Sequence, residues 1–351
     1  LALLAHTLGE LVIVSGAYNI APHLVGAEIS IRMLLGPAVL FYTRALVSPT
    51  QISVGGRDWS ALIGPALVIL ASVPFSRLSA EEKLALADPT TRDPVHFQIA
   101  LFTCTAGVLL FLIFTTIYLI SAFKLQSKHR ENIKHQFSNT ERRSLDWLRN
   151  MLFVFSGVWL FLGIKQALWV SGVSAPHFYA ALALSEMLSI AVFTFLALRQ
   201  PALKFDQPTA VTVARAPILT EAHMARIATK LDSALNTDRL FADSDLSLRT
   251  LSDATGVTKN HISETLSQHL EVNFFDFVNR CRVEEAKRLL AETNDTVLTI
   301  GLEVGFNSRS TFNAAFKKHG GSTPSAYRTL SHEKSLPALK NPTKIAARVS
   351  E

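Results

Sequence analysis

Residues 94–123 form a run of thirty positions without a single Asp, Glu, Lys or Arg. A bilayer core is crossed by a helix of about 20 mostly apolar residues, so residues 97–123 read as a membrane span. Residues 59–76 are uncharged between Asp58 and Arg77, residues 151–173 are interrupted only by Lys165, and residues 177–198 only by Glu186. Two earlier stretches fit less cleanly: 1–20, carrying His6 and Glu10, and 28–47, carrying Glu28, Arg32 and Arg44. The expectation is six spans. The chain opens on Leu1 rather than Met, and one further span upstream would make seven. No basic segment precedes the first apolar stretch, so no signal peptide is read.

The composition changes near residue 200. Residues 1–200 hold 26 charged side chains and residues 201–351 hold 36, although the second part is shorter. The expected organisation is a polytopic helix bundle over 1–199, a linker over 200–217 containing Pro201, Pro208 and Pro217, a soluble domain over 218–330, and a disordered polar tail over 331–351. Residues 124–150 carry seven Lys or Arg, which places that loop in the cytoplasm by the positive-inside bias. Residue 199 onward then also lies on the cytoplasmic side. Two cysteines, Cys104 mid-span and Cys281 on a soluble helix, exclude a disulfide framework.

Ionisable groups inside spans are costly and are functional candidates by default. Lys165 and Glu186 sit on neighbouring spans joined by a tight turn. They read either as an ion pair holding a hairpin or as a signal-sensing site. Glu28 and Arg32, four apart, read as a local pair near the interface. His6 and Glu10 alone do not make a metal site.

The soluble half is all-helical and punctuated by turn residues. Ile227, Leu231 and Leu235 mark a first helix. Leu248, Leu251 and Ala254 form an apolar stripe that ends at Gly256. Thr258 then caps a helix over 259–270, whose inner face is Ile262, Leu266 and Leu270. A long helix over 274–291 follows. The pattern then recurs: a short helix stopped at Gly305, a cap at Asn307 or Ser308, and a helix over 309–319 with Phe312 and Phe316 inward. Helix, glycine turn, helix with one polar face is a helix-turn-helix, here present twice.

The stretch Ile300-Gly-Leu-Glu-Val-Gly-Phe-Asn-Ser-Arg-Ser-Thr-Phe-Asn-Ala-Ala-Phe-Lys-Lys-His-Gly-Gly-Ser-Thr-Pro-Ser-Ala-Tyr-Arg328, with the helix Asn273–Leu290 before it, resembles the DNA-binding domain of the arabinose-regulator (AraC/XylS) family. The resemblance covers about 110 residues. The apolar half resembles the multi-pass region of membrane-bound members by layout alone. The sequence departs from the family at Gly321-Ser322, at Glu264 and at Ala314, where a larger residue, Arg or Gln, and Arg are the usual choices.

The resemblance implies a one-component regulator of the bacterial inner membrane with a cytoplasmic DNA-binding domain. Its two recognition helices would enter successive major-groove segments of double-stranded DNA. Base-edge candidates are Asn260, Ser263 and Glu264 in the first and Arg309, Ser310 and Asn313 in the second. Phosphate candidates are Thr258, Lys259, Arg280, Arg282, Ser308, Lys317 and Lys318. The spans would contact membrane lipid and sense an unidentified ligand, and residues 124–150 with the linker would relay the signal. A homodimer is expected from pseudo-palindromic operators, and RNA polymerase is the partner the family implies. No cofactor, metal or enzymatic activity is expected.

Net charge alone does not point to DNA, because residues 221–330 hold 13 basic and 14 acidic groups. Two other classes stay open at this stage. One is a membrane transporter or intramembrane enzyme with a regulatory tail. Against it, the sequence has no His-Glu-x-x-His, phosphate loop or Gly-x-Ser-x-Gly. The other is a soluble regulator released by proteolysis in the linker.

Overall fold

The computed structural model describes residues 15, 17–24, 27–47, 55–86, 88, 90–141, 143–173, 176–199 and 219–335. The linker at 200–217, most of the first expected span and the tail beyond Ser335 lie outside these residues. Among the described residues there is no β-strand, only an isolated bridge between Phe137 and Ser247. The chain divides into two compact units. The first comprises Leu1–His129 and Leu145–Lys204, the second Arg130–Ser144 and Phe205–Glu351.

In the first unit the helices are α1 (Ala27–Arg32), α2 (Leu35–Val47), α3 (Ile63–Ser76), α4 (Ala80–Ala85), α5 (Pro94–Lys134), α6 (Asp146–Val170) and α7 (Pro176–Arg199). The last residues of α5, from Arg130, group with the second unit. Ala17–Asn19 form a 3-10 turn where the end of a first span was expected. Among the described residues, five stretches are long and apolar enough to cross a membrane: Ile29–Val47, Asp58–Ser76, Pro94–Lys134, Asp146–Leu168 and Ala180–Arg199. The first of them is not one rod, since a turn at Met33 and Leu34 separates α1 from α2.

These helices bury one face against each other through Met33, Leu40, Val68, Phe111, Leu119, Leu152, Phe155 and Trp159. Close approach depends on small residues. A Cβ at Gly64 would fall 2.6 Å from the Phe114 ring. The outer faces are apolar as well. Ile113 and Ile117 on α5, Phe153 and Leu160 on α6, and Leu184, Leu188 and Phe195 on α7 are all exposed. Helices apolar all round belong in a core or in lipid. Inside, the buried Thr115 hydroxyl is satisfied within its own helix, donating to the Phe111 carbonyl at 2.5 Å.

The second unit holds α8 (Glu221–Asn236), α9 (Leu248–Thr255), α10 (Lys259–Glu264), α11 (Phe274–Glu292), α12 (Val297–Glu303), α13 (Arg309–Gly320) and α14 (Pro324–Ser335). A π turn, Thr265–His269, continues α10. One core runs through the domain, with Leu231, Leu251, Ile262, Phe274, Val278, Ala286, Ile300, Phe312 and Phe316 all buried. The helix α14 extends through Ser335, five residues past the expected end of the domain at 330. Pro324 opens the helix, Thr323 Oγ1 accepts the Ala326 N–H at 3.3 Å, and Tyr327 packs edge-on to Phe316 at 5.6 Å.

Candidate nucleic-acid interface

Each helix-turn-helix is set by the same three devices: a hydroxyl cap, an inward apolar stripe and a glycine at positive φ. In the first, Ser247 Oγ accepts the Thr250 N–H at 3.1 Å to start α9. Gly256, at φ 65°, ends it. Thr258 caps α10. In the second, Thr296 caps α12 and Ser308 caps α13, whose Thr311 N–H reaches Ser308 Oγ at 3.2 Å. Between them Gly305 has φ 94°, and a Cβ there would meet the Phe241 carbonyl at 2.7 Å. Only glycine combines that backbone with that approach. Each such cap stabilises its helix by about 1 kcal/mol.

The expected contact residues fall into three groups. Asn260 at the start of α10 and Arg309 and Ser310 at the start of α13 are exposed, with Ser263 and Asn313 half-buried one turn on. Lys317 and Arg280 are exposed too, and Lys259 is half-buried. Lys318 is exposed but bound, its Nζ 2.6 Å from Asp276 Oδ1. Burial pushes the Asp276 carboxyl up, but Lys318 and His319 beside it bring it below the usual carboxylate range.

Two residues differ from expectation. Glu264 accepts the Leu219 N–H at 3.0 Å, which ties the first recognition helix to the approach of α8. Arg282 is not a surface phosphate ligand, because it is 1% exposed. Its Nε donates to the Phe241 carbonyl at 2.7 Å and its Nη2 to the Asp243 carbonyl at 2.8 Å and to Ser138 Oγ at 3.1 Å. Burial lowers its pKa to about 10, so it stays charged at neutral pH. Its guanidinium satisfies carbonyls that would otherwise be orphaned in the core.

Sequence reasoning missed the partner of Arg282. Ser138 belongs to the segment Arg130–Ser144, which lies in sequence between two apolar helices yet packs within the second unit. The Leu248 N–H donates to the Gln136 carbonyl at 2.8 Å, and Ser138 Oγ donates to the Leu246 carbonyl at 2.8 Å. The segment therefore pairs with the start of α9. It also reaches the other motif: the hydroxyls of Ser308 and Thr311 both donate to the Glu141 carboxylate at the N-terminus of α13.

A helix-turn-helix domain family model matches residues 251–329. A probable transcription factor PqrA of Proteus vulgaris is 30% identical over 83 residues, covering 24% of this chain and 68% of that protein. The chain belongs to the arabinose-regulator (AraC/XylS) family. Its C-terminal unit is thus an AraC-type DNA-binding domain. An uncharacterized HTH-type transcriptional regulator of Staphylococcus aureus (strain COL) is 39% identical over 84 residues, 24% of this chain. The chain spans only 11% of that relative's length. The solved C-terminal domain of AraT, a response regulator from Geobacillus stearothermophilus, is 27% identical, with 30% of this chain and 84% of that one covered and a TM-score of 0.26. The AraC-type match lies wholly within the second unit, so the apolar unit takes no support from it.

In that first unit Lys165 and Glu186 are both half-buried. Glu186 lines a crevice with Phe155, Trp159 and Ser189 of about 20 Å³, room for about one water.

Proposed function

We propose that this chain is a membrane-anchored, one-component transcription regulator whose α5–α6 connection gates its DNA-binding domain. The observation that carries the reading is the segment Arg130–Ser144, which links two helices of membrane-spanning length and is built into the AraC-type unit through Arg282 and Ser138. A movement of either apolar helix is therefore transmitted along the chain to both helix-turn-helix motifs. The exposed apolar faces of α5, α6 and α7 support anchoring in lipid, and the seven Lys and Arg of 124–150 support a cytoplasmic connection. Lys165 and Glu186 are the ionisable groups within the helices through which a signal would shift them.

On DNA, Asn260 and Ser263 read base edges from the first recognition helix, and Arg309, Ser310 and Asn313 from the second. Arginine pairs with guanine and asparagine with adenine in the major groove. Thr258, Lys259, Arg280, Ser308 and Lys317 take phosphates. Glu141 sits where the α13 N-terminus would receive one, because helix N-termini bind anions. The docked segment and a DNA phosphate thus compete for the same hydroxyls. Release of Glu141 is the step that a signal controls. RNA polymerase and a second copy of the chain complete the assembly at a promoter.

The test uses the full chain in native membranes. Alkaline carbonate extraction should leave it in the pellet, and footprinting on its own upstream region should give a discrete protection. Arg309→Ala and Asn260→Ala should each weaken particular bases within it. Extraction into the soluble fraction refutes the anchor, and a footprint indifferent to both substitutions refutes the contact assignment.

A further inference from the structure

The first unit contains a cavity of about 350 Å³ between α3, α4 and α5, well apart in sequence from the water-sized crevice at Glu186. Pockets of about 300 Å³ and above take small organic ligands. Val68, Ile69 and Phe75 of α3 and Ala100 of α5 give it apolar walls. Lys83, on the short helix between two apolar stretches, gives it a cation. That side chain is 9% exposed.

The partners of Lys83 are all neutral or a histidine. Its Nζ lies 3.0 Å from His23 Nδ1, 3.4 Å from the Ser76 carbonyl, and 5.2 Å from the centre of the Phe75 ring. Among the described residues no carboxylate lies within 4 Å of it. Burial accordingly lowers its pKa from the usual lysine value. A second buried group in the same wall lacks a hydrogen bond: Thr103 is 8% exposed and its hydroxyl has no partner among the described residues. Buried charges are paired and buried hydroxyls bonded in stable proteins. Here one cation and one hydroxyl converge on a cavity large enough for what would complete them.

We infer that this cavity binds a small amphiphilic anion, a carboxylate or phosphate monoester on a short apolar body, with Lys83 at the anionic head and Thr103 hydrogen-bonding the ligand. The apolar walls take the body and set its length. The geometry excludes a cationic ligand, which would face the Lys83 ammonium. The anion can arrive as a dissolved solute or as a lipid headgroup, since both carry the same chemistry. If the chain is the sensor proposed above, this is where its signal binds. The occupancy of the cavity itself does not depend on that reading.

The experiment is ligand binding to the purified full chain in nanodiscs of zwitterionic lipid, read by calorimetry and thermal shift. The probes are hexanoate, octanoate, benzoate, hexyl phosphate and inorganic phosphate, with hexanol and hexylamine as uncharged and cationic controls. At least one organic anion should bind saturably and raise the melting temperature, and both controls should not. Lys83→Met keeps the length of the side chain and removes the charge; it should fold as well as the parent and weaken anion binding by about tenfold or more, the usual size of a charge-assisted contact. Thr103→Val, of equal shape, should weaken it less.

Nanodiscs with phosphatidic acid, whose headgroup is a phosphate monoester, separate the sources. If a lipid headgroup is the occupant, they should compete with hexyl phosphate in the parent and not alter the residual binding of Lys83→Met. No binding by any anion, or equal binding to Lys83→Met, overturns the proposal. Promoter occupancy measured alongside separates the two readings. Anion binding that leaves DNA affinity unchanged removes the sensor and keeps the site. Anion-independent regulation with an empty cavity removes the site and keeps the regulator.

Discussion

Glu141→Gln should make this protein bind DNA more tightly. In the parent, one carboxylate accepts hydrogen bonds from Ser308 and Thr311 at the first turn of α13. A hydrogen bond to a charged group contributes about 1.5–3 kcal/mol net, and a negative charge at a helix N-terminus about 0.3–1 kcal/mol. Glu141 is exposed, so the lower ends apply, and loss of the charge should weaken docking by about 1.5–2 kcal/mol. Apparent affinity scales with the fraction of competent molecules. If the docked form predominates, affinity should therefore rise about 10- to 30-fold. The assay is fluorescence anisotropy of the footprinted duplex with full-length protein in nanodiscs at one fixed salt concentration, because phosphate binding is salt-dependent. Glu303→Gln is the control. It removes an equal charge from the exposed surface of the same motif, on α12 rather than at the α13 N-terminus. An increase for Glu141→Gln no larger than for Glu303→Gln, or a decrease, would falsify the competition between the segment and DNA.

Arg282→Met should strand the carbonyls of Phe241, Asp243 and Ser138 in the core. The expected destabilisation is about 3–5 kcal/mol, with loss of exchange protection at the Ser138 amide; thermal melting and hydrogen exchange of the full chain check it. Gly305→Ala must move a backbone carbonyl now 2.7 Å from the new Cβ and hold alanine at φ 94°. It should cost about 2 kcal/mol or more and abolish the contribution of α13 to a footprint. Acid should loosen the junction of α11 and α13. Asp276 and His319 both titrate below their ordinary values, Asp276 because Lys318 outweighs burial and His319 chiefly because it is buried. Groups depressed by folding stabilise above their unfolded pKa values and lose that as pH falls, here from about 6.5 downward through the carboxylate range. Asp276→Asn should flatten the acid limb of a pH–melting curve, and an unchanged limb would assign the acid sensitivity elsewhere.

The double helix-turn-helix was legible because its signals are local. A hydroxyl cap, a glycine turn and an apolar stripe each act within one turn of the chain, so Gly256, Thr258, Gly305 and Ser308 could be placed from spacing. The long apolar stretches were legible for the same reason. What stayed hidden was long-range. Glu264 is engaged by an amide 45 residues away and Arg282 by Ser138 at a separation of 144, and no local pattern encodes either partner.

A signal for Arg282 did exist, however. Phe274, Val278, Arg282, Ala286 and Leu290 recur every four residues, and all five are buried on one stripe of α11. An arginine in register with an unbroken core stripe has to find acceptors inside, since burying its charge without them is prohibitive. The polar run Ser138-Asn139-Thr140-Glu141, set between two apolar helices and lacking any helical period, is the kind of segment that supplies them. Read together, the two features predict that the loop between two long apolar helices completes the core of the DNA-binding domain. A loop that completes the core and also occupies the tip of a recognition helix cannot move without changing what that helix can bind.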